Sequence, residues 1–334
     1  MNRNVIAAAL ALSVATPALA NEVNVYSYRQ PELIQPLTDA FTEKTGIKVN
    51  AVFLKKGLIE RMQAEGDRSP ADLIFTVDIS RLTGVVNAGL TQPVDSALLQ
   101  QNIPASMRDS DNQWFGLTAR ARIVYASKDR VADGEVTTYE DLADAKWNGR
   151  ICTRSGLNAY NLALTSAVIE HYGEEQAKTW LAGVKANLAR KPQGNDRAQV
   201  KAIWAGECDI AVGNTYYMAL MLGKEDQKPW ADSVRIVFPK FADGGTHMNI
   251  SGMAMAKHAP NQANALALME FLASEEGQRI YADINHEYPV LETVPASDLV
   301  ESWGTFERDT IGLTDIAANR KTSVKLVEEV GFDN

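Results

Sequence analysis

Three phenols could do chemistry here. Tyr216 and Tyr217 are adjacent in Gly213-Asn214-Thr215-Tyr216-Tyr217, and Tyr160 ends the run Thr153-Arg154-Ser155-Gly156-Leu157-Asn158-Ala159-Tyr160. A free phenol ionises near pH ~10, so at neutral pH only a strong, hard Lewis acid holds three of them as phenolates. Trivalent iron is the abundant biological ion of that kind, since ligand type and availability select the metal. A Tyr-Tyr pair met alone is more often a core or surface pair, so the rest of the chain must carry the argument.

The first twenty residues hold one basic residue, Arg3, an apolar run from Val5 to Leu12, and Ala18-Leu19-Ala20. That pattern reads as a secretory signal peptide cleaved after Ala20, with the mature protein free in the periplasm. Arg3 is one of the 33 basic residues and none of the 42 acidic ones precedes Asn21, so the mature chain carries a formal charge of −10. Lys and Arg are scattered, without the basic stripe a nucleic-acid surface needs. A chain of 334 residues exceeds the size at which one core keeps growing, so two lobes are expected. Cys152 and Cys208 suit one disulfide in an exported protein, because two isolated cysteines make no zinc framework.

The elements that must position the phenols follow from periodicity. Val23 to Tyr28 alternates as a strand, Pro31 to Phe41 has helical spacing stopped by Thr45-Gly46, and Ile47 to Phe53 reads as the next strand. Such a unit implies an α/β fold with a parallel sheet. The run from Phe115 to Ala126 is long for one strand and could pass from one lobe to the other; Ser233 to Pro239 is a second candidate crossover. Between them lie a strand at Arg150-Ile151-Cys152, a helix from about Ala159 to Tyr172, helices over 174–188 and 198–205, and a strand at 209–212. The tail from about Asn261 is mostly helical.

Taken together, Val25-Tyr26-Ser27, Thr45-Gly46-Ile47-Lys48-Val49, Ser69-Pro70-Ala71-Asp72, Asn214-Thr215-Tyr216-Tyr217 and His286-Glu287-Tyr288-Pro289 resemble the bacterial periplasmic ferric-ion-binding proteins. Those are the substrate-capture components of iron ABC transporters, and the likeness runs collinearly from Asn21 to the C-terminus. The resemblance implies the two-lobed type II periplasmic-binding-protein fold, with two crossover strands and a central cleft. The lobes would be 21–120 with 240–288, and 121–239 with 289–334. It implies Tyr216 and Tyr217 as ligands of Fe(III), with Tyr160 as the third in members that use only phenolates. It also implies carbonate or bicarbonate as synergistic anion, an inner-membrane ABC permease with its ATPase as partners, and a monomer.

The residues themselves suggest where the anion would sit. The turn Arg154-Ser155-Gly156 ahead of a helix would offer backbone N–H groups and the positive end of the dipole. A guanidinium fork suits a planar oxyanion, and Arg120 and Arg122, two apart on a strand, share a face. Arg120 is the favoured one. The first lobe departs from the family pattern: Gln30 and Pro31 stand where members often carry histidine or tyrosine, and Val77 follows Thr76 where glutamate is common. Ligands from one lobe are therefore expected, with Tyr28 the weaker addition and Asp78 similar. Two other classes of function fit the sequence less well. The same fold could hold another solute, an oxyanion or small organic ligand, but a phosphate-type binder does not need three phenols. An exported hydrolase lacks support: neither GxSxG nor a P-loop nor HExxH is present, and Ser155 and Ser251 have no local histidine.

Overall fold

The computed structural model describes residues 21–334, so the expected leader lies outside the described residues. Ten strands occur in chain order: β1 (Glu22–Ser27), β2 (Lys48–Phe53), β3 (Leu73–Thr76), β4 (Thr91–Gln92), β5 (Phe115–Ser127), β6 (Ile151–Cys152), β7 (Ile210–Asn214), β8 (Val234–Val237), β9 (Met248–Ala256) and β10 (Tyr288–Pro289). The main path runs β2-β1-β3-β9-β5-β7-β6, with β4 beside β9 and both β8 and β10 beside β5.

β1 pairs parallel with both β2 and β3. Parallel neighbours need a long crossover, and the helices Gln35–Thr45 and Leu58–Glu65 supply it. The first helix ends where its sequence says: Gly46 takes φ 72°, a left-handed conformation that costs glycine little, and returns its N–H to Thr42 O.

β5 binds the two halves of the molecule. All thirteen of its residues are buried. Its first part, to Ala121, pairs with β9, and Arg122 to Ser127 pair with β7 and β8. One hydrophobic core lies around Phe41, Phe75 and Leu268, and a second around Tyr125, Trp147 and Ile210. Each large side chain sealed in them contributes roughly 1.5–3 kcal/mol of transfer free energy.

The return path differs from the one expected at 233–239. β8 pairs only with Val124 to Ser127 of β5, and the chain re-enters the first sheet through β9, whose Met248 sits opposite Ala121. Arg122 N–H donates to His247 O at 2.9 Å just before that entry. β9 is fully buried but has one β-branched residue, Ile250, so neither alternation nor propensity marks it as a strand. Gly252 within it is needed for close approach, since a Cβ there would lie 2.4 Å from Leu82 Cδ2. His286, at φ 52°, turns the chain into β10, which pairs with Thr118 and Ala119 of β5. No helix among the described residues is long and apolar enough to cross a membrane.

Candidate functional site

The carboxyl ends of β1, β3, β6 and β7 deliver their next residues to one region, the usual place for ligands in α/β sheets. Tyr28, Val77, Arg154 and the pair Tyr216-Tyr217 all line a cleft of about 660 Å³, together with Tyr160 and Arg120. The three phenols are brought together. Tyr216 Oη lies 3.4 Å from Tyr160 Oη, and the Tyr216 and Tyr217 rings are 4.3 Å apart between centroids.

Local structure explains that convergence. β7 ends at Asn214, and the helix Tyr216–Leu222 starts at once, so both tyrosines leave the same strand end. Gly213 lets β7 pass over Tyr125, whose ring would meet a Cβ there at 2.3 Å; the Tyr125 hydroxyl donates to Asn214 O at 2.6 Å. Tyr160 is the second residue of the helix Ala159–Tyr172, and its N–H is capped by Asn158 Oδ1 at 3.0 Å. Asn158, Ala159 and Tyr160 all line the cleft, so the positive end of that helix faces it.

Burial keeps the Tyr216 and Tyr217 phenols neutral. Burial pushes the Tyr216 phenol well above its ordinary range, neighbouring Tyr160 and Tyr217 add to the shift, and Arg120 opposes it. Tyr217 is raised by burial first, then by Tyr160 and Asp196. No cluster of three or more His, Cys, Asp or Glu suited to a metal occurs among the described residues, and the anionic or ionisable oxygen donors lining the cleft are its tyrosines and Glu32.

The cleft is electropositive in an acidic protein. Arg29, Lys55, Arg81, Arg120, Arg154, Arg197 and Lys224 line it against a single carboxylate, Glu32. Low-dielectric walls focus such a field. The two strand arginines divide sharply. Arg122 donates to Asp196 at 2.7 Å, Asn214 at 2.9 Å and Asn161 at 2.5 Å, and it does not line the cleft. Arg154 does line the cleft and binds the other oxygen of the buried Asp196 at 2.6 Å. The Arg120 guanidinium has one hydrogen-bond partner among the described residues, Ser251 Oγ at 2.8 Å, and its Nε has none.

Ser155 and Gly156 require a correction. Their turn faces away from the cleft, where Asp333 near the C-terminus accepts from Ser155 Oγ and, at 2.8 Å, from Gly156 N–H. The chain's own carboxylate fills the nest expected to hold an external anion. Gly156 is also pressed against Phe332 and Val327, so it has no free face. Tyr28 reaches the cleft, but β1 has ended at Ser27, so it does not share the environment of buried Tyr26; its ring lies under Arg81 at 4.4 Å. Asp78 caps the helix Ile79–Asn87 by accepting from Arg81 N–H at 3.0 Å. Gln30 lines the cleft and has no ferric-ligand chemistry. Arg29 escaped the sequence reading: it follows Tyr28 directly, yet nothing in one sequence marks it as buried in the cleft wall.

A two-lobed α/β architecture with a cation-rich, phenol-bearing cleft is that of a solute-binding protein. The family model for bacterial extracellular solute-binding proteins matches residues 26–279, and the chain belongs to that family. It is 42% identical over 320 residues to iron uptake protein A1 of Synechocystis, covering 95% of this chain and 89% of the relative. Among solved structures, apo ferric ion-binding protein A of Pasteurella haemolytica is similar at TM-score 0.91 and 55% identity, covering 94% of this chain and 99% of that one. A Trichodesmium protein in complex with iron and citrate ligands is similar at TM-score 0.88 and 41% identity, covering 93% and 99%. These likenesses agree with the resemblance already read from the motifs.

Proposed function

We propose that this protein captures ferric ion in the periplasm with the phenolates of Tyr160, Tyr216 and Tyr217 and delivers it to an inner-membrane ABC permease driven by its ATPase. The observation that carries the reading is the convergence of the three phenols on one cleft wall, with Tyr216 Oη 3.4 Å from Tyr160 Oη. The names of the relatives support iron as the cargo. Three phenolates balance the +3 charge of the ion. Carbonate or bicarbonate then adds negative charge that Arg120, Arg154 and the helix end at Ala159 offset, so the anion belongs on that side of the metal. Ser155 and Gly156 have no part in it. The ligands come from the second lobe, to which 240–247 also belongs because Phe241 packs in its core and the first sheet is re-entered only at Met248; Tyr28 of the first lobe is near but not coordinating.

Protons set the release. Each phenol loses its proton to solvent as its oxygen takes the metal, so acid competes with iron. Loss of the anion opens coordination positions and supplies a release route at the permease. The protein works as a monomer, exported by a leader cleaved after Ala20. Cys152 and Cys208, with Cα atoms 5.9 Å apart, form its disulfide. An oxyanion carried alone would suit the cationic cleft, but it leaves the three phenols unexplained.

The test is competition for ferric ion against a chelator of known affinity. Tyr216→Phe and Tyr217→Phe should each weaken binding by about a hundredfold or more, equivalent to ~2.7 kcal/mol, while circular dichroism stays that of the parent. Unchanged affinity in both variants would eliminate the site.

A further inference from the structure

Behind the phenols a buried polar chain links β5 and β9 to Arg29, just past β1, and Glu287, just before β10. Arg29 is 3% exposed, Arg120 1%, Glu287 1%, and Ser251 and Thr118 are fully buried. Arg29 donates through Nη2 to Glu287 Oε2 and through Nη1 to Ser251 Oγ. Glu287 Oε2 also accepts from Thr118 Oγ1 at 2.7 Å, which fixes the carboxylate against β5. Ser251 Oγ accepts a second guanidinium, Arg120 Nη1, at 2.8 Å. A serine hydroxyl has two acceptor lone pairs, and two cations take both here.

Charge and geometry then point the same way. Two guanidinium groups share the hydroxyl, and Glu287 compensates one of them, so Arg120 is left as a buried cation without a carboxylate. A buried charge in that state calls for a counter-charge. Arg120 lines the cleft and stands 5.9 Å from the Tyr160 ring centroid, on the phenol side.

We propose that Ser251, braced by the Arg29–Glu287 pair, is the positioning residue for Arg120. It fixes one arm of the fork so that the other N–H groups stay aimed at the anion beside the metal. The proposal rests on the reading that Arg120 takes that anion. It gives the first lobe a part in the site without a metal ligand: Arg29, one residue before the unsuited Gln30, acts through a hydroxyl on β9.

The experiment titrates the mature protein with ferric ion at fixed iron and rising bicarbonate, following the phenolate-to-iron absorption band. Ser251→Ala should raise the bicarbonate concentration for half-saturation about tenfold, the loss expected for one hydrogen bond to a charged group. Ser251→Thr, which keeps the hydroxyl, should stay within about twofold of the parent. Should Ser251→Ala fail to fold, the Arg29→Gln/Glu287→Gln double variant removes the brace without leaving a buried charge unpaired, and the requirement should rise in the same direction. A merely structural role would lower the melting temperature and leave the bicarbonate requirement where it was, which overturns the proposal. A parent whose band forms independently of bicarbonate would overturn the anion reading itself and this inference with it.

Discussion

Arg120 and Arg122 are two residues apart on one strand and have opposite duties. Arg122 is spent on Asp196, Asn214 and Asn161 inside the second core, whereas Arg120 keeps donors for the cleft. Alternation along a strand put both on one face, and it could not say which had partners, because Asp196 and Asn214 are distant in sequence. Their substitutions should separate. Arg122→Gln removes one of the two arginines holding a buried aspartate and should cost about 3–5 kcal/mol, seen as a lower denaturant midpoint. Arg120→Gln should leave that midpoint within about 1 kcal/mol and raise the bicarbonate needed for iron binding. Equal loss of stability in both variants would contradict the division. The phenols could be singled out only because the motifs around them together resemble one family. Arg29 could not be, since its burial depends on Glu287 and Ser251 more than two hundred residues away.

At the scale of elements, most boundaries were written in local signals. The helix Ala159–Tyr172 lies where periodicity puts it, and Gly46 closes Gln35–Thr45 as expected, although that helix starts later than Pro31, after a separate turn at Pro31–Leu33. Local signals fail where contacts close over long distances. The turn Ser155-Gly156 has every local mark of an anion nest, yet Asp333, 177 residues from Gly156, occupies it. Asp333→Ala should therefore lower stability by about 1–2 kcal/mol in a thermal melt while leaving the bicarbonate requirement unchanged. A shifted bicarbonate requirement would return that turn to the binding site. The return strand has no local signal for a related reason: β9 draws its burial from β3 and β5 on either side, and its sequence, rich in methionine and alanine, has no period of its own.

At the scale of the whole molecule, acid should act on stability as well as on cargo. His247 is buried with both ring nitrogens unpartnered; burial first, then Arg122, His171 and Arg120, push it down to about 3. The unfolded chain takes up a proton near pH ~6.5 that the folded chain refuses. Stability contributed above that pH is thus lost as pH falls from about 6.5 toward 3, at no more than about 1.4 kcal/mol per pH unit. Asp209 adds a lower window. Burial alone would raise its carboxyl, but hydrogen bonds from Arg150 and Arg130 hold it below the usual range, so its contribution fades as pH falls below about 3.9. Urea midpoints measured from pH 7 to 4 should fall in the parent and fall less in His247→Phe; identical slopes would remove His247 from the account.

The most direct measurement is a visible absorption titration of metal-stripped mature protein with ferric ion, with and without bicarbonate. The expected result is a saturable phenolate-to-iron charge-transfer band reaching its end point at one equivalent, dependent on bicarbonate and weakened in Tyr217→Phe. Absence of the band at every ratio would contradict it, make the three tyrosines structural, and leave the cationic cleft to an oxyanion or an organic solute.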